Sequence, residues 1–126
     1  MKEPLPATFR INASSKGEGQ RLLKIVKDEL FAGYMNGLKE IDESNAEELE
    51  IKKPKCLNFY PQELAWQLDL TRKDIRRNEK VFRLHNFLQT ETVSGNISRQ
   101  EAVSMLPPLV LDVKSHHKCI DLCASP

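Results

Sequence analysis

The groups on this chain that could do chemistry are three cysteines, three histidines and a basic cluster in its second half. Cys119 and Cys123 stand four apart, just after His116 and His117, while Cys56 is isolated. Cysteine chemistry runs through the thiolate, which serves as a nucleophile or a soft metal ligand. A structural zinc site needs four ligands, and no second cysteine pair exists to complete one. His116 and His117, adjacent on an extended stretch, point to opposite sides. No metal is expected. An odd, irregular set of cysteines fits a reducing compartment better than a disulfide framework. Cys56 and Cys119 read as packing residues, and Cys123 as a small apolar residue at a strand end.

The basic cluster spans residues 71–83. Arg72, Lys73, Arg76, Arg77, Lys80 and Arg83 face only Asp74 and Glu79 there, a local net of +4. Two readings stay open: a solvated helix face with internal ion pairs, or a surface that contacts phosphates. Phosphate contacts would position a nucleic acid without reading its sequence. The whole chain carries only +1 over 126 residues, so a nucleic-acid role must rest on this local cluster. A composition 40% hydrophobic and 29% charged is that of a globular chain. The length suits one domain, or one small domain and a fragment. No run of 18 apolar residues and no secretory leader is present, so neither membrane insertion nor secretion is expected.

The elements that would position these groups follow from periodicity. Residues 4–11 open with a strand whose alternation puts Phe9 and Ile11 on one face. A loop rich in Ser and Gly leads to a helix over residues 18–31, capped by Ser15 with Glu18 and ended by Gly33. Leu22, Leu23, Val26 and Leu30 form its apolar stripe. Residues 39–50 hold six acids against one lysine and read as a solvated loop. Leu49 and Ile51 begin a second strand, and residues 57–60 a further extended piece. Pro61 starts a helix whose face is Leu64, Ala65 and Leu68, with Trp66 beside it. Thr71 with Asp74 forms a capping box. Asn78 caps the next helix, residues 79–92, with the stripe Val81, Phe82, Leu84, Phe87 and Leu88. His85 lies next to that stripe and reads as packed or half-exposed rather than catalytic. A small sheet after a strand–helix–strand start is compatible with an RNA-recognition-like domain, although the aromatic platform of such domains is not evident.

Ser94, Gly95 and Asn96 make a turn. Ser98 with Glu101 reads as a third capping box, starting a helix at Arg99 that Pro107 and Pro108 kink or end. Ala102, Val103, Leu106 and Leu109 would pack inward from it, with Met105 alongside. Residues 112–117 are a connector, and residues 118–123 look like the first strand of a parallel α/β sheet. The chain thus reads as an accessory region joined to the start of a larger domain.

Two runs carry more than periodicity. Residues 91–108 read Glu-Thr-Val-Ser-Gly-Asn-Ile-Ser-Arg-Gln-Glu-Ala-Val-Ser-Met-Leu-Pro-Pro, and residues 116–126 read His-His-Lys-Cys-Ile-Asp-Leu-Cys-Ala-Ser-Pro. Together they resemble the Nop2/Sun (RsmB-type) RNA cytosine-5 methyltransferases, most of all the eukaryotic tRNA branch. Residues 4–12, Pro-Leu-Pro-Ala-Thr-Phe-Arg-Ile-Asn, and 60–66, Tyr-Pro-Gln-Glu-Leu-Ala-Trp, resemble the N-terminal region of that branch.

The resemblance implies an α/β or α+β chain. Residues 1–90 would form an RNA-recognition-like and helical region, and residues 91–126 the start of a truncated Rossmann-like methyltransferase domain. The implied cofactor is S-adenosylmethionine, and the implied partner tRNA or another RNA, bound weakly by this piece alone. Nucleus or nucleolus, and also cytoplasm, are the implied locations. The family's first cofactor motif, Asp-x-Cys-Ala-Ala-Pro-Gly, is matched by Asp121, Cys123, Ala124 and Pro126, with Ser125 where alanine is usual. Cys123, Ala124, Ser125 and Pro126 are the implied cofactor contacts. The glycine and lysine that finish that loop are missing, so the piece is expected not to bind the cofactor. The family's nucleophilic and product-releasing cysteines belong to later motifs, so no catalytic residue is assigned. The resemblance adds weight to Arg72, Lys73, Arg76, Arg77 and Lys80 as an RNA-facing set. Arg99, Gln100 and Glu101 correspond to the border of the active-site entrance, and Arg99 and Gln100 join the RNA contacts. The chain is thus expected to be an inactive N-terminal part of such an enzyme. The alternative is a non-catalytic RNA-binding or interaction module derived from one.

Overall fold

Alternating apolar residues in the opening segment form the expected strand. The computed structural model describes residues 7–12, 17–41 and 46–124. Strand β1 (Ala7–Ile11) buries Phe9 and Ile11 on one face. It lies between β3 (Ala65–Leu68) and β4 (Ile97–Arg99), with the two-residue β2 (Lys55–Cys56) outside β3. The order is β2-β3-β1-β4 and every pair is antiparallel. Register sets Phe9 opposite Trp66 and Arg99, and Ile11 opposite Ile97. Helices connect β1 to β2 and β3 to β4, giving a β-α-β-β-α-β succession. They cover one face of the sheet. Leu23, Val26, Leu30, Phe31, Tyr34 and Leu38 from the first connection meet Val81, Leu84 and Leu88 from the second over Phe9, Ile11, Trp66 and Leu68.

The first helix does not stop at Gly33. Helix α1 (Glu18–Ile25) passes through a wide π segment (Val26–Phe31) into α2 (Ala32–Ile41). Gly33 does not take the positive φ that ends a helix, whereas Gly17, before α1, does. Burial of Tyr34 and Leu38 beyond it outweighs the cost of about 1 kcal/mol that glycine brings to a helix. The π turn brings Val26, Leu30 and Phe31 all inward, and the Phe31 ring lies 5.1 Å from that of Trp66. Ser15, the expected cap, lies outside the described residues, and Gly17 precedes α1 without a side-chain cap.

Several expected elements change type. Leu49 and Ile51 belong to helix α3 (Ala46–Lys52), not to a strand. Glu47 and Glu48 in its first turn and Lys52 in its last suit the helix dipole. Residues 57–60 form a turn, closed by Tyr60 N–H to Leu57 O at 3.0 Å, rather than an extended piece. Pro61 starts only a single 3-10 turn (Pro61–Glu63). Gln62 and Glu63 take left-handed φ values of 62° and 56°, which no α-helix can continue. Ala65, Trp66 and Leu68 then lie in the doubly paired β3, where hydrogen bonding on both sides overrides their helix-like spacing.

Helices α4 (Arg72–Arg77) and α5 (Glu79–Val93) carry the expected caps, Thr71 and Asn78. The α5 end is a Schellman turn: Gly95 N–H meets Thr92 O, Asn96 N–H meets Glu91 O, and Gly95 has φ 81°. It turns the chain directly into β4, so no helix starts at Arg99 and Ser98 with Glu101 forms no cap. The sheet therefore takes in residues beyond position 91. A 3-10 turn (Ala102–Met105) and a short α6 (Leu106–Val110) follow. Pro107 and Pro108 sit in the first turn of α6, where their missing N–H groups cost nothing, so they open a helix rather than end one. Two short turns present no common face, and Met105 alone is buried, while Val103 and Leu106 are exposed. Residues 118–123 form no strand. Ile120 and Leu122 are 87% and 91% exposed. A strand exists only through a neighbour's hydrogen bonds, and here Cys123 N–H turns back to Asp121 Oδ1 at 2.9 Å.

Helix α2 meets the start of α5 at Gly37. A Cβ there would lie 2.6 Å from Asn78 Oδ1 and 3.1 Å from Lys80 Cβ. Asn78 cannot swing away freely, because Oδ1 accepts from Lys80 N–H at 2.8 Å and Nδ2 donates to Glu40 at 2.8 Å. Gly37→Ala should therefore lower stability by about 1 kcal/mol, the worth of a lost cap, despite alanine's better helix propensity. Thermal melts would check this, and a raised midpoint would refute the close approach.

Candidate nucleic-acid interface

Helix α4 is oriented by one buried carboxylate. Asp74 N–H donates to Thr71 Oγ1 at 3.2 Å, and the Thr71 hydroxyl donates back to Asp74 Oδ2 at 2.6 Å. Lys52, the last residue of α3, reaches both Asp74 oxygens at 3.2 and 3.1 Å and Glu48 at 3.1 Å. Tyr34 on α2 donates its hydroxyl to Lys52 O at 3.0 Å. Three helices thus converge on one ion pair, most of it out of water. Burial alone would raise the Asp74 carboxyl, but the Thr71 hydroxyl and the Lys52 ammonium outweigh it and hold it below the usual carboxylate range. Burial likewise works against the Lys52 charge, yet Glu48 and Asp74 leave its pKa raised. Burial, then the Asp74 and Asp69 charges, keep the Tyr34 phenol far from ionising.

With Asp74 facing in, the remaining charges of α4 face out. Arg72, Lys73, Arg76 and Arg77 are all exposed, and none has an ion-pair or hydrogen-bond partner among the described residues. Lys80 differs, since it is paired with Glu40. The Lys80 and Asn78 contacts hold the Glu40 carboxyl below its ordinary range. Arg83 is exposed on α5. A cleft of about 260 Å³ runs between α2, α3 and α4, with Lys73 and Arg77 beside Glu48 and Leu49.

Arg99 and Gln100 are not on this surface. They lie at the β4 edge of the sheet, where Gln100 Oε1 accepts from Arg10 Nε at 3.1 Å and Gln100 Nε2 donates to Ser104 O at 3.3 Å. Arg99 is exposed near His85, a half-buried ring whose pKa is lowered by burial and by that guanidinium. Of the four expected cofactor contacts, two fall within the described residues. Cys123 and Ala124 are exposed on a local turn, and Ser125 and Pro126 lie outside the described residues. Cys123 and Ala124 by themselves enclose no group the size of S-adenosylmethionine. Among the described residues no three His, Cys, Asp or Glu side chains gather to hold a metal, and no helix is long and apolar enough to cross a membrane. One residue escaped the sequence reading: Phe82, assigned to the core stripe, is 51% exposed and borders a shallow recess with Arg76 and Arg77. Its place between Lys80 and Arg83 was the available signal.

Against this geometry the relatives are informative. The chain is 50% identical over 126 residues to a tRNA (cytosine(34)-C(5))-methyltransferase of Drosophila melanogaster, aligning over 100% of its own length and 16% of that protein. It is 46% identical over 123 residues to a multisite-specific tRNA:(cytosine-C(5))-methyltransferase of Saccharomyces cerevisiae, covering 98% of the chain and 17% of the relative. The chain is homologous to tRNA cytosine-5 methyltransferases throughout. A third relative, the multisite-specific tRNA:(cytosine-C(5))-methyltransferase trm4b of Schizosaccharomyces pombe, is 41% identical over 126 residues, again 100% of the chain and 17% of the relative. The chain thus spans 16–17% of the length of the curated relatives it matches. No family model matches, and no solved structure matches.

Removing Lys52 would strand Asp74. Lys52→Met should cost about 3 kcal/mol in denaturant melts, and adding Asp74→Asn should recover part of that loss. Because the folded carboxyl has the lower pKa, its stabilisation is complete above the unfolded value of about 4 and is lost as pH falls through the folded value. Urea midpoints followed from about pH 6 to about pH 2 should drop more steeply in the parent than in Asp74→Asn. Parallel curves would remove Asp74 from its role.

Proposed function

We propose that this chain is the N-terminal RNA-docking module of an S-adenosylmethionine-dependent tRNA cytosine-5 methyltransferase. The observation that carries the reading is identity of 41–50%, over 98–100% of the chain, to enzymes named for that activity. An RNA-recognition-like fold is part of the proposal, supported by the strand order β2-β3-β1-β4 and helices on one face. Such domains stack bases on aromatic side chains of the open sheet face. Here the open-face positions of the two central strands are Thr8, Arg10, Ala65 and Gln67. Thr8 and Ala65 are buried, and Gln100 ties Arg10 to the turn that carries the buried Met105. RNA contact then passes to the helical side, where Arg72, Lys73, Arg76 and Arg77 stand unpaired among the described residues.

The chemistry divides accordingly. Cytosine C5 becomes nucleophilic only after a thiolate adds at C6, a form of covalent catalysis. Cys56 is unsuited to this, since burial, and then the Glu63 charge, push its thiol up. In this reading the attacking thiol and the rest of the cofactor loop come from other parts of the enzyme. This chain holds the tRNA while the target base is presented.

Purified chain mixed with tRNA and labelled S-adenosylmethionine should transfer no methyl group. Incorporation, or a covalent cytosine adduct, would overturn this division of labour. Binding to tRNA should weaken with salt, and the combined Arg72→Ala, Arg76→Ala and Arg77→Ala variant should lower the log–log salt slope by about 3. An unchanged affinity and slope would remove α4 as the docking surface.

A further inference from the structure

Phe82 is the phenylalanine of α5 that the core leaves out, since Phe87 packs against that core. Its neighbours at core spacing, Val81, Leu84 and Leu88, are buried, whereas half of Phe82 is in water. The recess it borders is lined by Ile75, Arg76, Arg77, Asn78, Glu79 and Phe82. Half-buried Ile75 is part of that lining, and so are two guanidinium groups that lack partners among the described residues. Glu79 is the one acid there. The α5 N-terminus is not the anion seat, because Asn78 Oδ1 already takes the Lys80 N–H.

We propose that Phe82, Arg76 and Arg77 form a site for one unpaired nucleotide, with the base stacked on the phenyl ring and the adjoining phosphates on the guanidiniums. The proposal rests on the RNA-docking reading of α4 and adds to it a preference for single-stranded RNA. A planar π-face beside backbone-tracking cations is the arrangement by which proteins hold single strands without reading sequence. A duplex keeps its bases stacked and has none to offer, so it would use the guanidiniums alone. Charge complementarity favours RNA over a protein partner, since two cations without partners among the described residues stand beside one exposed ring rather than a continuous apolar surface.

The test uses the whole chain, a labelled single-stranded RNA oligomer, and a blunt RNA duplex containing the same strand. Phe82→Leu should weaken single-strand binding about 5- to 150-fold and leave duplex binding unchanged. Phe82→Trp should bind the single strand at least as well as the parent. Its new indole emission should be quenched on binding, while the chain's other tryptophan, Trp66, stays buried. Equal losses on both RNAs in Phe82→Leu, or no loss, would overturn the stacking site, as would an unquenched indole. Arg76→Ala with Arg77→Ala should weaken both RNAs. If that pair weakens both while Phe82→Leu weakens neither, the nucleotide site is wrong and the docking surface stands. If the arginine pair changes nothing, the docking surface itself is wrong. Phe82→Leu releasing a bound protein while leaving RNA affinity intact would assign the ring to a protein contact and overturn the proposal.

Discussion

A carboxylate taken out of water must be met by a counter-charge and by hydrogen bonds, or the fold that buries it will not stand. Asp74 is met by Lys52 from α3 and by its own capping threonine. Because that one residue of α4 must face inward, the rotation of the helix about its axis is set. Arg72, Lys73, Arg76 and Arg77 then face outward. The six residues of α4 could not hold a helix alone in water, so the anchoring contact, with Ile75 packed against the core, also sustains the helix. The same lysine is held by Tyr34 through its carbonyl, which joins the pair to the core helix α2. Core, ion pair and basic surface form one chain of dependence.

The sheet imposes a second constraint. Central β1 is paired on both sides, so its register fixes two neighbours at once. Placing Phe9 and Ile11 on the helical face sends Thr8 and Arg10 to the other. Arg10 is then spent within the protein, on Gln100 and Asn12, and Gln100 is spent on Ser104. At Arg10 the open face is therefore occupied by internal contacts, while the cations on α4 have no such use among the described residues. Opposite fates for arginines on one small fold follow from which face each element turns to its neighbour.

What could be read in the sequence was what local chemistry decides. The caps at Thr71 and Asn78 and the turn at Gly95 rest on contacts within a few residues, the alternation at Phe9 and Ile11 is written in its own segment, and each is present. What could not be read depended on partners far along the chain. Residues 65–68 have the spacing of a short helix, but become a strand because β1 and β2 lie on either side. Residues 118–123 have the composition of a buried strand, but no strand lies beside them among the described residues. Leu49 and Ile51 look like strand residues, yet Lys52 at their end needs Asp74, and the helix delivers it there. On the candidate surface the cluster of charge was plain. Which of its members are free was not, because Lys80 is answered by Glu40, forty residues earlier.

The position of Phe82 follows from the same logic of faces. A helix packed on one side can bury only the residues within its inward arc. On α5 that arc runs through Val81, Leu84 and Leu88, all at three- or four-residue spacing. Phe82 is one residue past Val81, about 100° around the helix, which turns it toward α4 instead of the sheet. An aromatic ring half in water costs solvation, and packing does not require it there. Its neighbours across the recess are guanidiniums with no partners among the described residues. On the helical side of this fold, charge without partners among the described residues thus stands beside the half-exposed ring of Phe82.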